Sequence, residues 1–123
     1  MLITHPDISH KDHRGVICDL IAEDIDSVTY LTIKANAVRG NHYHEHTDQW
    51  LYVISGSLIA KSCRQDNFSE TQVIKAGDLV ENRAMEQHAF QAIEDSCLMA
   101  FAKGPRQATN YENDTVRLDI PLL

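Results

Sequence analysis

Apolar and polar residues alternate along most of this chain, in short runs divided by turn residues. In an extended strand successive side chains point to opposite faces, so an alternating run buries one face and wets the other. Residues 16–21, after Gly15, have strand character, and Asp24 and Asp26 mark a turn. Residues 27–35 form the next predicted strand, with Tyr30, Thr32 and Lys34 on one face and Leu31, Ile33 and Ala35 on the other. In 49–54, rich in aromatic and β-branched residues, Trp50, Tyr52 and Ile54 oppose Gln49, Leu51 and Val53. Predicted strands then cover 58–64, 68–74, 79–81, 88–93 and 96–103, separated by turns such as Gln65-Asp66-Asn67 and Gly77-Asp78. No segment carries a helical period, and no internal repeat or linker is visible. Many short strands at roughly 8–12-residue spacing predict an all-β sandwich or barrel. The polar stretch 1–13 reads as a loose arm or an edge strand pairing with another subunit, and 110–118 as an edge strand or clasp.

One stretch departs from this plain alternation. Gly40-Asn41-His42-Tyr43-His44-Glu45-His46-Thr47-Asp48-Gln49 places three of the seven histidines at alternate positions. On a strand, His42 and His44 aim two imidazoles at one point, and His88 arrives from a distant strand. Such a cluster suits a metal ion, or a substrate that needs a proton donor or acceptor. His46 shares the parity of His42 and His44 but is expected in the turn, facing solvent. Asp48 points away if the strand is regular. Tyr43, Trp50 and Tyr52 are expected on the barrel exterior or at a subunit interface.

Composition narrows the picture. A chain of 123 residues with 43% hydrophobic and 24% charged residues fits one globular domain, residues 1–123. The net charge is −7, without a basic cluster, which excludes a nucleic-acid partner. No apolar run approaches the roughly 20 residues of a membrane span. The start lacks the basic and apolar regions of a signal peptide, so a cytoplasmic protein is expected. Cys18, Cys63 and Cys97 are scattered and read as buried reduced thiols rather than catalytic groups or metal ligands.

The histidine stretch resembles the cupin family. His42-Tyr43-His44 supplies that family's HxH, Gln49 falls at its glutamate position, and Gly56 follows six residues later. Gly77-Asp78 and His88 match the spacing of the second cupin motif, with Arg83 and Met85 where proline and glycine are usual. The resemblance covers about residues 28–103, leaving an N-terminal arm at 1–13 and a C-terminal tail at 104–123. It implies an antiparallel jelly-roll β-barrel, often a homodimer, with His42, His44, Gln49 and His88 lining the interior. In metal-binding members those positions hold a divalent transition metal such as Mn, Fe, Ni or Zn. A neutral amide at Gln49 would cancel none of the ion's charge, so the ion would be more electrophilic and held less tightly.

A narrower resemblance joins Arg39-Gly40-Asn41-His42 to cupin-fold sugar-nucleotide enzymes. These include 3,5-epimerases, 3,4-ketoisomerases and cupin domains of capsular polysaccharide synthesis. It implies His42 as a base acting without metal and Arg39 as a contact for a carbohydrate or nucleotide-sugar. The sequence leaves open whether the chain is an enzyme. The first expectation is a metal-binding enzyme that oxygenates or isomerises a small molecule. The alternatives are a metal-independent epimerase or ketoisomerase using His42, and a non-catalytic binding protein for a small ligand.

Overall fold

The computed structural model describes residues 1–105 and 108–123. Arg106 and Gln107, in the expected tail, lie outside the described residues. The strands in chain order are β1 (Leu2–Thr4), β2 (Ile8–Asp12), β3 (Gly15–Cys18), β4 (Ser27–Ile33), β5 (Val38–His44) and β6 (Asp48–Ser55). They continue with β7 (Ser57–Cys63), β8 (Ser69–Lys75), β9 (Leu79–Asn82), β10 (Gln87–Ala92) and β11 (Ser96–Lys103). A short helix, α1 (Ala108–Asp114), leads into β12 (Thr115–Arg117).

Two five-stranded sheets result, in the orders β1-β9-β6-β11-β4 and β12-β5-β10-β7-β8, and every pairing is antiparallel. This is the expected all-β jelly roll. Its core lies between the sheets, where Val53 and Leu98 from one meet Leu58 and Ile74 from the other, all at 0% exposure. Burying each such side chain contributes about 1.5–3 kcal/mol. None of the described helices is long and apolar enough to cross a membrane.

The alternation of β4 sets the inner surface. Leu31 and Ile33 point inward, whereas Tyr30 stands 64% exposed on the outer face. Trp50 is also on the outer face of its strand yet only 2% exposed. There the Arg83 guanidinium covers the ring at 5.6 Å and Glu81 accepts its indole N–H at 3.2 Å. The arm at 1–13 is not loose either. β1 pairs with β9 of the same chain, and Ile3 packs on the core. β2 and β3 form a separate hairpin. The helix α1 was not foreseen, since seven residues are too few to show a period.

Candidate active site

β5 and β10 build the site. Their register puts His88 opposite His42, with a bulge between His88 and Ala89. Gly40 makes this approach feasible: its φ is 95°, and a Cβ there would stand 2.8 Å from the His88 carbonyl oxygen. Only glycine tolerates both conditions cheaply. Strand parity then brings His44 to the same face as His42. The ring centroids of His42 lie 4.8 Å from those of both His44 and His88, and the latter two are 5.5 Å apart. One nitrogen from each imidazole falls within 4.8 Å of the others. His44 and His88 are each 2% exposed, and His42 is half-buried.

Burial governs the charge state. Desolvation, then the neighbouring His44 and the Arg117 guanidinium, push His42 down to about 4. Desolvation, then His42 and His44, push His88 to about 3 against the opposing pull of the Glu86 carbonyl. Both rings are therefore neutral at pH 7. The His88 Nδ1 lies 3.1 Å from the Glu86 carbonyl oxygen, which can only accept. His88 thus carries its proton on Nδ1 and a lone pair on Nε2. That Nε2 and the Nδ1 of His42 are buried with no hydrogen-bond partner among the described residues.

The imidazoles stand on the wall of a cavity of about 470 Å3 between the two sheets. Arg39, Gln49 and Arg117 line it too, and none of its described lining residues is an aspartate or glutamate. Gln49 comes from β6, on the sheet facing the histidines. Arg39 donates its Nε proton to the Thr32 carbonyl at 3.2 Å, which leaves the guanidinium Nη groups for a ligand. The structure thus brings Arg39, His42, His44, Gln49 and His88 to one cavity. It keeps His46 apart, with its side chain 76% exposed. Asp48 is also elsewhere, accepting from Arg83 at 3.1 Å and from the Ala84 amide at 2.9 Å. Tyr30 is absent from the cavity wall, which takes Thr29, Leu31 and Ile33 from the same strand.

Sequence reasoning missed Tyr111, Thr115 and Arg117, which also line the cavity. β12 pairs with β5 so that Thr115 faces His44 and Arg117 faces His42. The alternation at 115–118 held this signal, but read as a clasp it gave no reason to aim two side chains at the histidines.

The donor set fits a divalent metal. Three imidazoles converge, those of His42 and His88 neutral, and two buried nitrogens lack hydrogen-bond partners among the described residues. His42, His44 and His88 would hold such an ion, with Gln49 on the facing wall. The same lone pairs can accept a proton.

The sequence profile of the polysaccharide biosynthesis C-terminal domain family matches residues 10–115. The chain belongs to this family. Its fold is that of the cupins. No curated protein matches the sequence. Among solved structures, it resembles the capsular polysaccharide assembling protein CapF from Staphylococcus aureus, at 18% identity and a TM-score of 0.68. That match covers 90% of this chain and 32% of CapF, so the chain spans about a third of CapF's length. It also resembles QdtA, a sugar 3,4-ketoisomerase from Thermoanaerobacterium thermosaccharolyticum solved in complex with TDP. There the identity is 19% and the TM-score 0.74, over 96% of this chain and 88% of QdtA. An oxalate decarboxylase from B. subtilis matches at 27% identity and a TM-score of 0.63, over 74% of this chain and 23% of that one.

Proposed function

We propose that this chain is an isomerase or epimerase acting on a nucleotide-linked keto sugar, with His42 as the base. One observation carries the reading. A neutral, half-buried imidazole with an unpartnered Nδ1 stands beside two arginines on the wall of a cavity without described carboxylates. Membership of a polysaccharide biosynthesis family, and the likeness to a sugar 3,4-ketoisomerase that binds TDP, support the substrate class.

The chemistry follows from the residues. A carbonyl acidifies the C–H bond beside it, and a neutral imidazole near pH 7 can take that proton. The C–H electron pair then passes to the carbonyl oxygen as an enolate. Return of the proton to the opposite face of the same carbon inverts it. Return to the former carbonyl carbon, with the neighbouring hydroxyl proton passing to the enolate oxygen, moves the keto group. Arg39 and Arg117 suit the diphosphate, since a guanidinium presents a planar fork of donors to phosphate oxygens.

A metal-dependent reaction is the second reading, favoured by the orphaned nitrogens of His42 and His88. A bound divalent ion would polarise a substrate carbonyl or hydroxyl oxygen. A cytoplasmic homodimer belongs to the same proposal. Its dimer element is supported by Val28 and Tyr30, 56% and 64% exposed on the edge strand β4 beside Met99 and Phe101.

The test is proton exchange. Chelator-treated protein is incubated in D2O with a panel of nucleoside-diphosphate 4-keto sugars, and NMR follows deuterium at the carbons flanking the ketone. Wild type should introduce solvent deuterium, and His42→Ala should lose roughly 10²–10⁴ of the rate. No exchange and no binding of any member would overturn the reading. Exchange seen only after metal is restored would favour the second.

A further inference from the structure

The strap formed by α1 and β12 reaches the histidine cluster from the edge of the β5–β10 ladder. We infer that Thr115 is a positioning residue that fixes His44 in the tautomer carrying its proton on Nδ1 and its lone pair on Nε2. The inference deepens the proposed function. It rests on that reading for its consequence, while the tautomer stands on the hydrogen bonds themselves.

The argument is a count of protons. The Thr115 hydroxyl has one proton to donate. Its Oγ1 lies 3.0 Å from the Tyr111 carbonyl oxygen, a group that can only accept, so the proton points there. The same Oγ1 lies 3.2 Å from the His44 Nδ1. With its proton already directed at Tyr111, the hydroxyl must accept, and His44 must donate from Nδ1. The chain N–H to O–H to C=O is cooperative, each link polarising the next.

The strap is held where this requires it. Thr115 faces His44 across the β5–β12 pair. Just before it, Asp114 is 3% exposed. Its carboxylate accepts from the His46 amide at 2.7 Å and the Thr47 hydroxyl at 2.5 Å. Its carbonyl accepts the Glu45 amide at 2.9 Å. Thr115 is thus clamped to the segment that follows His44, and its hydroxyl has little freedom to move away.

The Glu86 carbonyl does for His88 what Thr115 does for His44. Two unrelated elements impose one tautomer, so both rings keep their lone pairs on Nε2. That is the form a metal needs and the form that accepts rather than donates a proton. Outer partners of this kind typically change metal affinity by about 10–100-fold.

Long-range 1H–15N correlation spectra read imidazole tautomers directly. In wild type at pH 7, His44 and His88 should both show Nδ1–H. In Thr115→Val, His44 should turn to Nε2–H or a mixture while His88 keeps its pattern. Thr115→Ser, which restores the hydroxyl, should restore His44. Zinc affinity by calorimetry should fall about 10–100-fold in the Val variant and recover in the Ser variant. The inference is overturned if wild-type His44 carries its proton on Nε2, or if Thr115→Val leaves the His44 pattern unchanged. Should the Val variant misfold, seen as loss of the His88 pattern, the wild-type and Ser spectra decide alone. Because no turnover enters these readouts, failure of the proposed activity would leave them standing.

Discussion

Acid should destabilise this protein through its buried histidines, and the size of the effect can be worked from the site. Burial holds His42 near 4 and His88 near 3, against 6.5 in an unfolded chain. Between those values the unfolded chain binds protons that the folded one refuses. Stability is therefore complete above about pH 6.5 and is lost as pH falls toward the folded values. Each refused proton steepens the dependence by about 1.4 kcal/mol per pH unit. The two rings repel one another's charge, and His42 keeps an open flank, so the combined slope will fall short of twice that figure. The assay is urea unfolding of chelator-treated protein at steps from pH 4.5 to 7.5, because a bound ion would add its own linkage. Carboxylates contribute to the raw slope, so the deciding quantity is a difference. His88→Gln should flatten the curve between pH 4.5 and 6 by roughly one proton's worth, about 1.4 kcal/mol per unit. Equal slopes in wild type and variant would refute the claim that His88 is held neutral by burial.

Further substitutions probe the parts that position the site. Gly40→Ala forces a side chain against the His88 carbonyl at positive φ, and should cost about 3 kcal/mol in urea unfolding while spreading the His42 and His88 signals in NMR. Asp114→Ala removes the acceptor of the His46 amide and the Thr47 hydroxyl; a loss of about 3 kcal/mol is expected, and hydrogen exchange should quicken along β12. Tyr30→Glu places a charge on the exposed face of β4 and should shift light scattering from dimer to monomer with the fold intact by circular dichroism. A wild type that is monomeric at all concentrations would end the dimer proposal.

Alternation made most of the barrel legible. Residues 96–103 were read as one strand, and β11 covers Ser96–Lys103. The inner faces of β4 and β6 follow from parity alone, because a side chain cannot leave its face without a bulge. What parity could not show is which distant strand pairs with which. β1 joins β9 and β12 joins β5 across long stretches of chain: Ile3 pairs with Val80, 77 positions on, and Thr115 with His44, 71 positions back. Such pairs depend on the closed topology, not on local preference. Gly40 depends on the same topology: it lies inside β5, where its missing Cβ admits the His88 backbone. The histidines themselves were found by spacing, while Thr115 and Arg117 were missed because their roles come only from the strand opposite.

The two chemical readings of the site draw on the same atoms, and that shapes how they can be separated. A metal held by His42, His44 and His88 would occupy the lone pair that His42 needs in order to take a proton. The neutral state imposed by burial suits both uses, so pKa direction does not choose between them. Occupancy does. If His42 is the base, saturating zinc should suppress deuterium exchange, and a chelator should restore it. If the ion is part of the chemistry, the order reverses. The arginines point the same way in either case. Arg39 and Arg117 are the cations on the described wall, and no described carboxylate there opposes them. Two guanidinium groups therefore favour an anionic ligand whether or not a metal shares the cavity.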